Sequence, residues 1–524
     1  VKGRCRAALV ACVALLISAS PTAATAHEGA LVRTDLGWVK GIQADDHRVF
    51  QGIPYAAAPT GDRRWRSPAP ARPWPGVRDA TNPGRRCAQP TPPGQPTGTS
   101  EDCLYLNVTV PRAAGGRKPV MVWLHGGGFI EGAGSDFDAR HLATTGGVIV
   151  VTVNYRLGVF GLFAHAGLAG SGGFALEDQQ AALRWVRRNA TAFGGDPGNV
   201  TLFGESAGGK SVCAHLASPR AAGLFQRAIM QSAPCTGSVP AGTMFPGVPA
   251  FRQWPSVADR QADGARVAER LGCTDAATAL ACLRRVPTER LLTLHDQFIT
   301  PAVGSPVLPQ DPERALATGR FHRVPVISGT TRDEMRYMVA LFYELPGTPI
   351  TARTYARLLR HAFGEQADRV ARHYPLARYA SPGLAWAALT TDMLFACPTY
   401  ERNRSLAQRV RTYAFEFAGD DFVTEIPGSD FPLEAAHGAE LAYLFPVPGL
   451  DARRRQLSTT MIRYWTAFAR TGDPNTPGLP RWQTFTPTRP GTQSLALPPD
   501  PTGPIDVAAA HRCAFWAGPA RPTT

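Results

Sequence analysis

Six runs of strand length in this chain are apolar almost without interruption. They are Val120 to Leu124, Val148 to Val153, Val200 to Phe203, and the stretches RAIMQSA at 227–233, RVPVISG at 323–329 and YAFEF at 413–417. A strand with one wet face alternates apolar and polar residues; a strand buried on both faces does not, and the usual setting for such strands is a parallel sheet covered by helices. Segments of helix length separate the runs. ALEDQQAALRWVRRNATAF at 175–193 has helical periodicity, and 206–217 and 456–470 also read as helices, while Asp196-Pro197-Gly198 predicts a turn. The expected architecture is α/β: one open, mostly parallel sheet with helices on both faces. Residues 235–325, Pro-interrupted and mostly helical in pattern, read as an insertion capping that sheet. Residues 89–100 read as a polar Pro/Gly loop, and no internal repeat is present.

The N-terminus does not belong to this pattern. Lys2, Arg4 and Arg6 precede an apolar stretch from Ala7 to Ile17, and Ala24-Thr25-Ala26 offers a small-residue cleavage site. This is the pattern of a secretory signal at 1–26, cut before His27. Cys12 lies inside the apolar stretch rather than after it, which argues against a lipid-anchored reading. No other stretch is apolar for long enough to span a bilayer, so no stable membrane anchor is expected. The formal charge is +14, and removing the three bases of the signal leaves +11. The excess is Arg, scattered along the chain, whereas Lys occurs only at 2, 40, 118 and 210. That bias points to GC-rich bacterial coding. No basic stripe interleaved with aromatics is present, which excludes a nucleic-acid partner. Eight of the ten cysteines lie beyond the signal and would meet an oxidising compartment, where pairing is expected. No Cys-x-x-Cys pair and no His cluster has metal-ligand spacing, so neither metal nor cofactor is expected. A monomer is the expected state.

TLFGESAGG at 201–209 places one Ser between glycines where a buried strand gives way to a helix. Gly is a tenth of the chain (52 of 524), so chance supplies roughly 0.3 Gly-x-Ser-x-Gly patterns and the bare motif says little. Its position says more. A Ser in so tight a turn has its hydroxyl pushed out of the fold, beside the first amides of the helix. LHGGGF at 124–129 follows another expected strand, and consecutive glycines there let backbone N–H groups face a developing oxyanion. An acid is expected after the strand ending in VPVIS, and a His after the strand ending at Phe417. The residues alone leave Asp333 and Glu334 open as the acid, and leave His373 and His511 beside His437 as the base.

With these motifs in view, the chain resembles the type-B carboxylesterases, the group that includes the cholinesterases, as a secreted bacterial member. FQGIPYAAAP (50–59), EDCLYLNV (101–108), VMVWLHGGGF (120–129), NYRLGVFGL (154–162), FGGDPGNVTLFGESAGG (193–209) and CAFW (513–516) are similar to that family's landmarks, in order. The resemblance implies an α/β-hydrolase fold over 27–524 and ester hydrolysis of a small-molecule substrate. By position it implies Ser206 as nucleophile, Glu334 as acid, His437 as base, and the amides of Gly127, Gly128 and Ala207 as the oxyanion hole. It implies disulfides Cys87–Cys103, Cys273–Cys282 and Cys397–Cys513, and ion pairs Arg64–Glu101 and Arg156–Asp178. Cys213 and Cys235 are left over; buried free thiols are expected for them, with a fourth bridge as the alternative. The alternatives on the same fold are a lipase-like hydrolase of larger esters and a non-catalytic binding protein; family members of the latter kind lack the nucleophile. One departure stands out: Lys210 follows ESAGG where small residues are usual, at a helix N-terminus whose dipole disfavours a cation.

Overall fold

The computed structural model describes residues 30–91, 98–112, 115–420, 426, 428–500 and 502–517. The expected signal at 1–26 and residues 92–97 of the polar loop lie outside them. Among the described residues eleven strands form the main sheet: β1 (Ile42–Gln43), β2 (His47–Pro54), β3 (Tyr105–Pro111), β4 (Lys118–Leu124), β5 (Ile149–Val153), β6 (Gly195–Glu205), β7 (Arg227–Gln231), β8 (Val326–Thr331), β9 (Thr412–Ala418), β10 (Thr492–Ala496) and β11 (Gly503–Ile505). Their spatial order is β11-β10-β9-β8-β7-β6-β4-β5-β3-β2-β1. From β5 through β10 neighbouring strands are parallel, and the outer pairs are antiparallel. This is the α/β-hydrolase fold.

The unbroken apolar runs have the expected cause. In β4, Val120, Val122 and Leu124 pack on one side of the sheet with Leu183, Trp185 and Val186 of the Phe174–Asn189 helix. Met121 and Trp123, the alternate residues, pack on the other side with Met461, Trp465 and Phe468 of the Ala452–Thr471 helix. Helices cover both faces, so neither parity of the strand can be polar.

The strands β2 and β3 had no clear apolar signal. β3 carries buried Asn107, whose Oδ1 accepts from the Gly52 amide of β2 (3.1 Å) and whose Nδ2 donates to Thr152 of β5 (3.0 Å). A side chain paired to neighbouring strands can be buried while reading as polar. The turn expected at 196–198 is instead part of β6, which carries an irregularity between Gly195 and Val200. Residues 235–325 carry helices Val257–Arg270, Ala279–Arg285, Thr288–Leu292 and Pro312–Thr318, preceded by a short antiparallel pair, Ser238–Val239 with Phe251–Arg252.

The topology locates the site. The chain runs from β4 to β5 on one side, then crosses back to place β6 on the other side of β4. Ligands of open α/β sheets bind at such a reversal, beyond the carboxyl ends of the strands. Leu124 and Glu205 are those ends here.

Candidate active site

Ser206 follows β6 directly and precedes the Ala207–Ala217 helix. Its backbone stands at φ 53°, ψ −119°, a conformation that costs a non-glycine residue about 1–3 kcal/mol. Its amide donates to Gln231 O of β7 (3.0 Å) and its carbonyl accepts from Lys210 (2.8 Å). The strain is sustained by close packing: a Cβ on Gly208 would sit 1.9 Å from Leu124 O, so only glycine lets this helix approach β4.

The glycine loop after β4 lies against this turn. A Cβ on Gly126 would come within 3.2 Å of the Ser206 Cβ. Gly127 stands at φ +91° and Gly128 at φ +60°. Among the described residues the amides of Gly127, Gly128 and Ala207 meet no protein acceptor. Three such donors beside a serine at a strand end can receive an oxyanion. Behind the loop, His125 Nδ1 donates to Gly126 O (2.8 Å), and the ring stacks on Tyr155 with centroids 4.3 Å apart. Burial pushes His125 down to about 4, so this histidine is a neutral brace for the loop.

The acid and base loops follow β8 and β9. His437 Nδ1 donates to Glu334 Oε2 at 2.5 Å, the Glu334 Oε1 accepts from the Thr331 amide (2.9 Å), and the His437 amide donates to Glu334 O (3.2 Å). Glu334 is fully buried, and its carboxylate fixes both the orientation and the tautomer of the imidazole. Asp333, adjacent in sequence, is engaged elsewhere: it pairs with Arg332 (2.8 Å) and Arg336 (3.1 Å), both of which also meet Glu434. That network joins the acid loop to the histidine loop. His511 lies away from this site, between Asp392 and Glu416, and His373 stacks on Phe515 at 3.9 Å.

Sequence reasoning missed the carboxyls around the base. His437 Nε2 lies 3.1 Å from Glu205 Oε1, an oxygen with no aligned hydrogen bond. Glu440 Oε1 accepts from Gln231 Nε2 (3.0 Å), whose Oε1 accepts from Trp465 Nε1 (3.0 Å). Burial pushes Glu205 up to about 8 and Glu440 up to about 7. Burial also opposes an imidazolium at His437, but Glu205 and Glu334 outweigh it and hold the group up at about 9. The only sequence signals were proximity: Glu205 precedes the serine, and Glu440 follows the histidine by three residues.

The structure pairs Cys87 with Cys103, Cys273 with Cys282 and Cys397 with Cys513. It also pairs Cys213 with Cys235, Cα atoms 6.2 Å apart, which corrects the expectation of free thiols: the helix after Ser206 and the segment after β7 bring two buried sulfurs together. Arg64 Nε donates to Glu101 (2.7 Å) and Arg156 Nε to Asp178 (2.7 Å). Among the described residues, no group of three or more His, Cys, Asp or Glu side chains is gathered as a metal would require.

The model of the Carboxylesterase family matches residues 28–516. The chain is 37% identical over 482 residues to the para-nitrobenzyl esterase of Bacillus subtilis (strain 168), covering 87% of this chain and 92% of that protein. It is 35% identical over 502 residues to the cocaine esterase of Oryctolagus cuniculus, covering 89% and 91%. A solved structure titled PNB esterase superposes with a TM-score of 0.73 at 35% identity, over 89% of this chain and 96% of that one.

Proposed function

The chain belongs to the carboxylesterase family, carboxylic ester hydrolases with a serine nucleophile, and on that premise we propose that it is a secreted enzyme hydrolysing uncharged esters through an acyl-enzyme. The observation that carries the assignment of the site is the convergence of three loops. Ser206 is held in a strained turn with Gly126 against it, and His437, bound to buried Glu334 at 2.5 Å, lies 3.1 Å from Glu205, the residue before the serine. His437 takes the proton of Ser206 as Oγ attacks the ester carbonyl, and Glu334 stabilises the imidazolium that forms. The amides of Gly127, Gly128 and Ala207 hold the tetrahedral oxyanion; loss of one such donor costs ~10²–10³ in turnover. His437 then returns the proton to the leaving alcohol, and water activated by the same base releases the acid.

Export is supported by the basic and apolar N-terminus and by the four disulfides, which suit an oxidising compartment. No helix among the described residues is long and apolar enough to cross a membrane. The preference for uncharged esters rests on what surrounds the site. The sequence between Cys87 and Cys103 has no aromatic residue to offer a quaternary ammonium, and Tyr337 is buried in a small apolar cluster with Ala340 and Leu341. The net positive charge also repels cationic substrates at long range. The test is hydrolysis of a butyrate ester and of butyrylcholine by wild type and by Ser206→Ala. Loss of nearly all activity in the variant, and a higher kcat/KM for the uncharged ester, are expected. Retained activity would overturn the nucleophile, and a tenfold preference for the choline ester would overturn the substrate class.

A further inference from the structure

Lys210 lies one turn into the helix that begins beside Ser206, and it is 3% exposed. No carboxylate among the described residues pairs with it. Its Nζ donates to Gln253 Oε1 at 2.7 Å and stands 4.8 Å from the centre of the Trp254 ring. Both partners are buried, and both belong to the first segment of the 235–325 insertion. Trp254 Nε1 in turn donates to Cys235 O (2.7 Å), and Cys235 is bridged to Cys213, one turn beyond Lys210 on the same helix. The root of the insertion is thus fastened to the serine-bearing helix at two points one turn apart, one covalent and one through the lysine. Burial, reinforced by Arg260, holds this amine well below its ordinary value, which eases the conflict of a cation with the helix dipole.

A buried lysine with only neutral partners is a costly way to fill space, because each partner lost leaves a donor unsatisfied in an apolar setting. A Met would pack with similar bulk and no such demand. What the amine supplies instead is a second, directional tie on the turn nearest Ser206, one turn closer to the serine than the disulfide. We propose that Lys210 is a positioning residue for hydrolysis: it fixes Gln253 and Trp254 against the helix turn next to Ser206, and so sets the wall that limits how long an ester chain the site accepts. This rests on the esterase reading above, and the experiment separates the two.

Wild type, Lys210→Met, Gln253→Leu and the double variant are assayed on p-nitrophenyl acetate and octanoate, which share one leaving group, with melting temperatures recorded for each. Either single change is expected to raise the octanoate-to-acetate ratio of kcat/KM by about tenfold, a discrimination of the size that one methylene's fit commands. The double variant should move no further than the larger single change, because both break one tie. The pH profile of kcat/KM should stay where His437 sets it. A ratio within twofold of wild type in Gln253→Leu overturns the proposal even if Lys210→Met fails to fold, since the lysine would then serve stability alone. Additive shifts in the double variant overturn it as well. Wild-type hydrolysis that Ser206→Ala abolishes, with an unchanged ratio across the variants, removes this inference and leaves the esterase; no hydrolysis by wild type removes both.

Discussion

Two histidines among the described residues stand between two acids, and only one of them keeps a ring nitrogen open. His511 has Asp392 Oδ1 at 2.6 Å from Nδ1 and Glu416 Oε2 at 2.5 Å from Nε2, both as hydrogen bonds. Asp392 is tied further to Tyr374 (2.7 Å) and to Arg512. Both ring nitrogens are consumed, and the two carboxylates overcome burial to hold the group up at about 10. The result is a locked imidazolium that pins the C-terminal segment to β9 and to the π-helical stretch Asp392–Ala396. His437 has the same company but a different geometry. Glu334 binds Nδ1, whereas Nε2 lies 3.1 Å from Glu205, the residue before Ser206, with no aligned bond. A general base needs one nitrogen oriented and the other free to accept a proton. Composition and burial do not separate these two clusters; the saturation of the second nitrogen does.

The sharpest break of the comparison is exchange of the histidines. His437→Gln should lower turnover at least ~10⁴-fold, since the triad members act as a unit, with a smaller loss of melting temperature than at His511, whose value is raised further. His511→Gln should do the reverse: about 3–5 kcal/mol of stability lost, because two buried carboxylates are left without their cation, with near-normal turnover in whatever fraction folds. Denaturation midpoints alongside active-site-titrated turnover would separate the two, and a catalytic collapse in folded His511→Gln would erase the distinction. The next largest effect lies between neighbours in the acid loop. Glu334→Gln should slow turnover by up to ~10⁴, the cost of losing the charge that orients such a base. Asp333→Asn, whose carboxylate faces Arg332 and Arg336, should cost far less, and steady-state kinetics ranking them the other way would reassign the acid.

The smallest effect is on pH dependence, and it tests both histidines together. Each has a folded-state value raised above the ordinary 6.5 of imidazole, to about 9 at His437 and about 10 at His511. Their stabilising contribution is therefore complete below about pH 6.5 and declines as pH rises through 9 and 10. The kcat/KM for a neutral ester should move the opposite way, climbing to about pH 9 as His437 becomes free to accept a proton. Melting temperature and kcat/KM measured across pH 6–10 should cross; a rate already level at pH 7 would mean that His437 is not raised in the folded protein.

Much of the site was legible in the chain because its signals are local. The turn at Ser206 needs Gly204 before it and Gly208 after it, and the loop at 126–128 needs three consecutive glycines; both requirements are written within a few residues. The sheet was legible wherever strands are apolar on both parities, as at Val120–Leu124, and illegible at Tyr105–Pro111, where buried Asn107 is satisfied by partners on two other strands. Asp333 and Glu334 are adjacent, and a family resemblance chose between them; the physical reason for the choice appears only in space, where one meets Arg336 and the other meets a histidine 103 residues away.

The sequence by itself determined the layered α/β architecture and the tight glycine-flanked turn that holds Ser206 at a strand end. These follow from backbone sterics and from apolar periodicity, which act between near neighbours in the chain. Only the tertiary structure decided that Glu205 and Glu440 crowd the base, that Cys213 meets Cys235, that Lys210 is buried against Gln253 and Trp254, and that His511 is spent on two carboxylates. The strength of a charge or a thiol's partner depends on what surrounds it after folding, and that surrounding is assembled from segments tens to hundreds of residues apart.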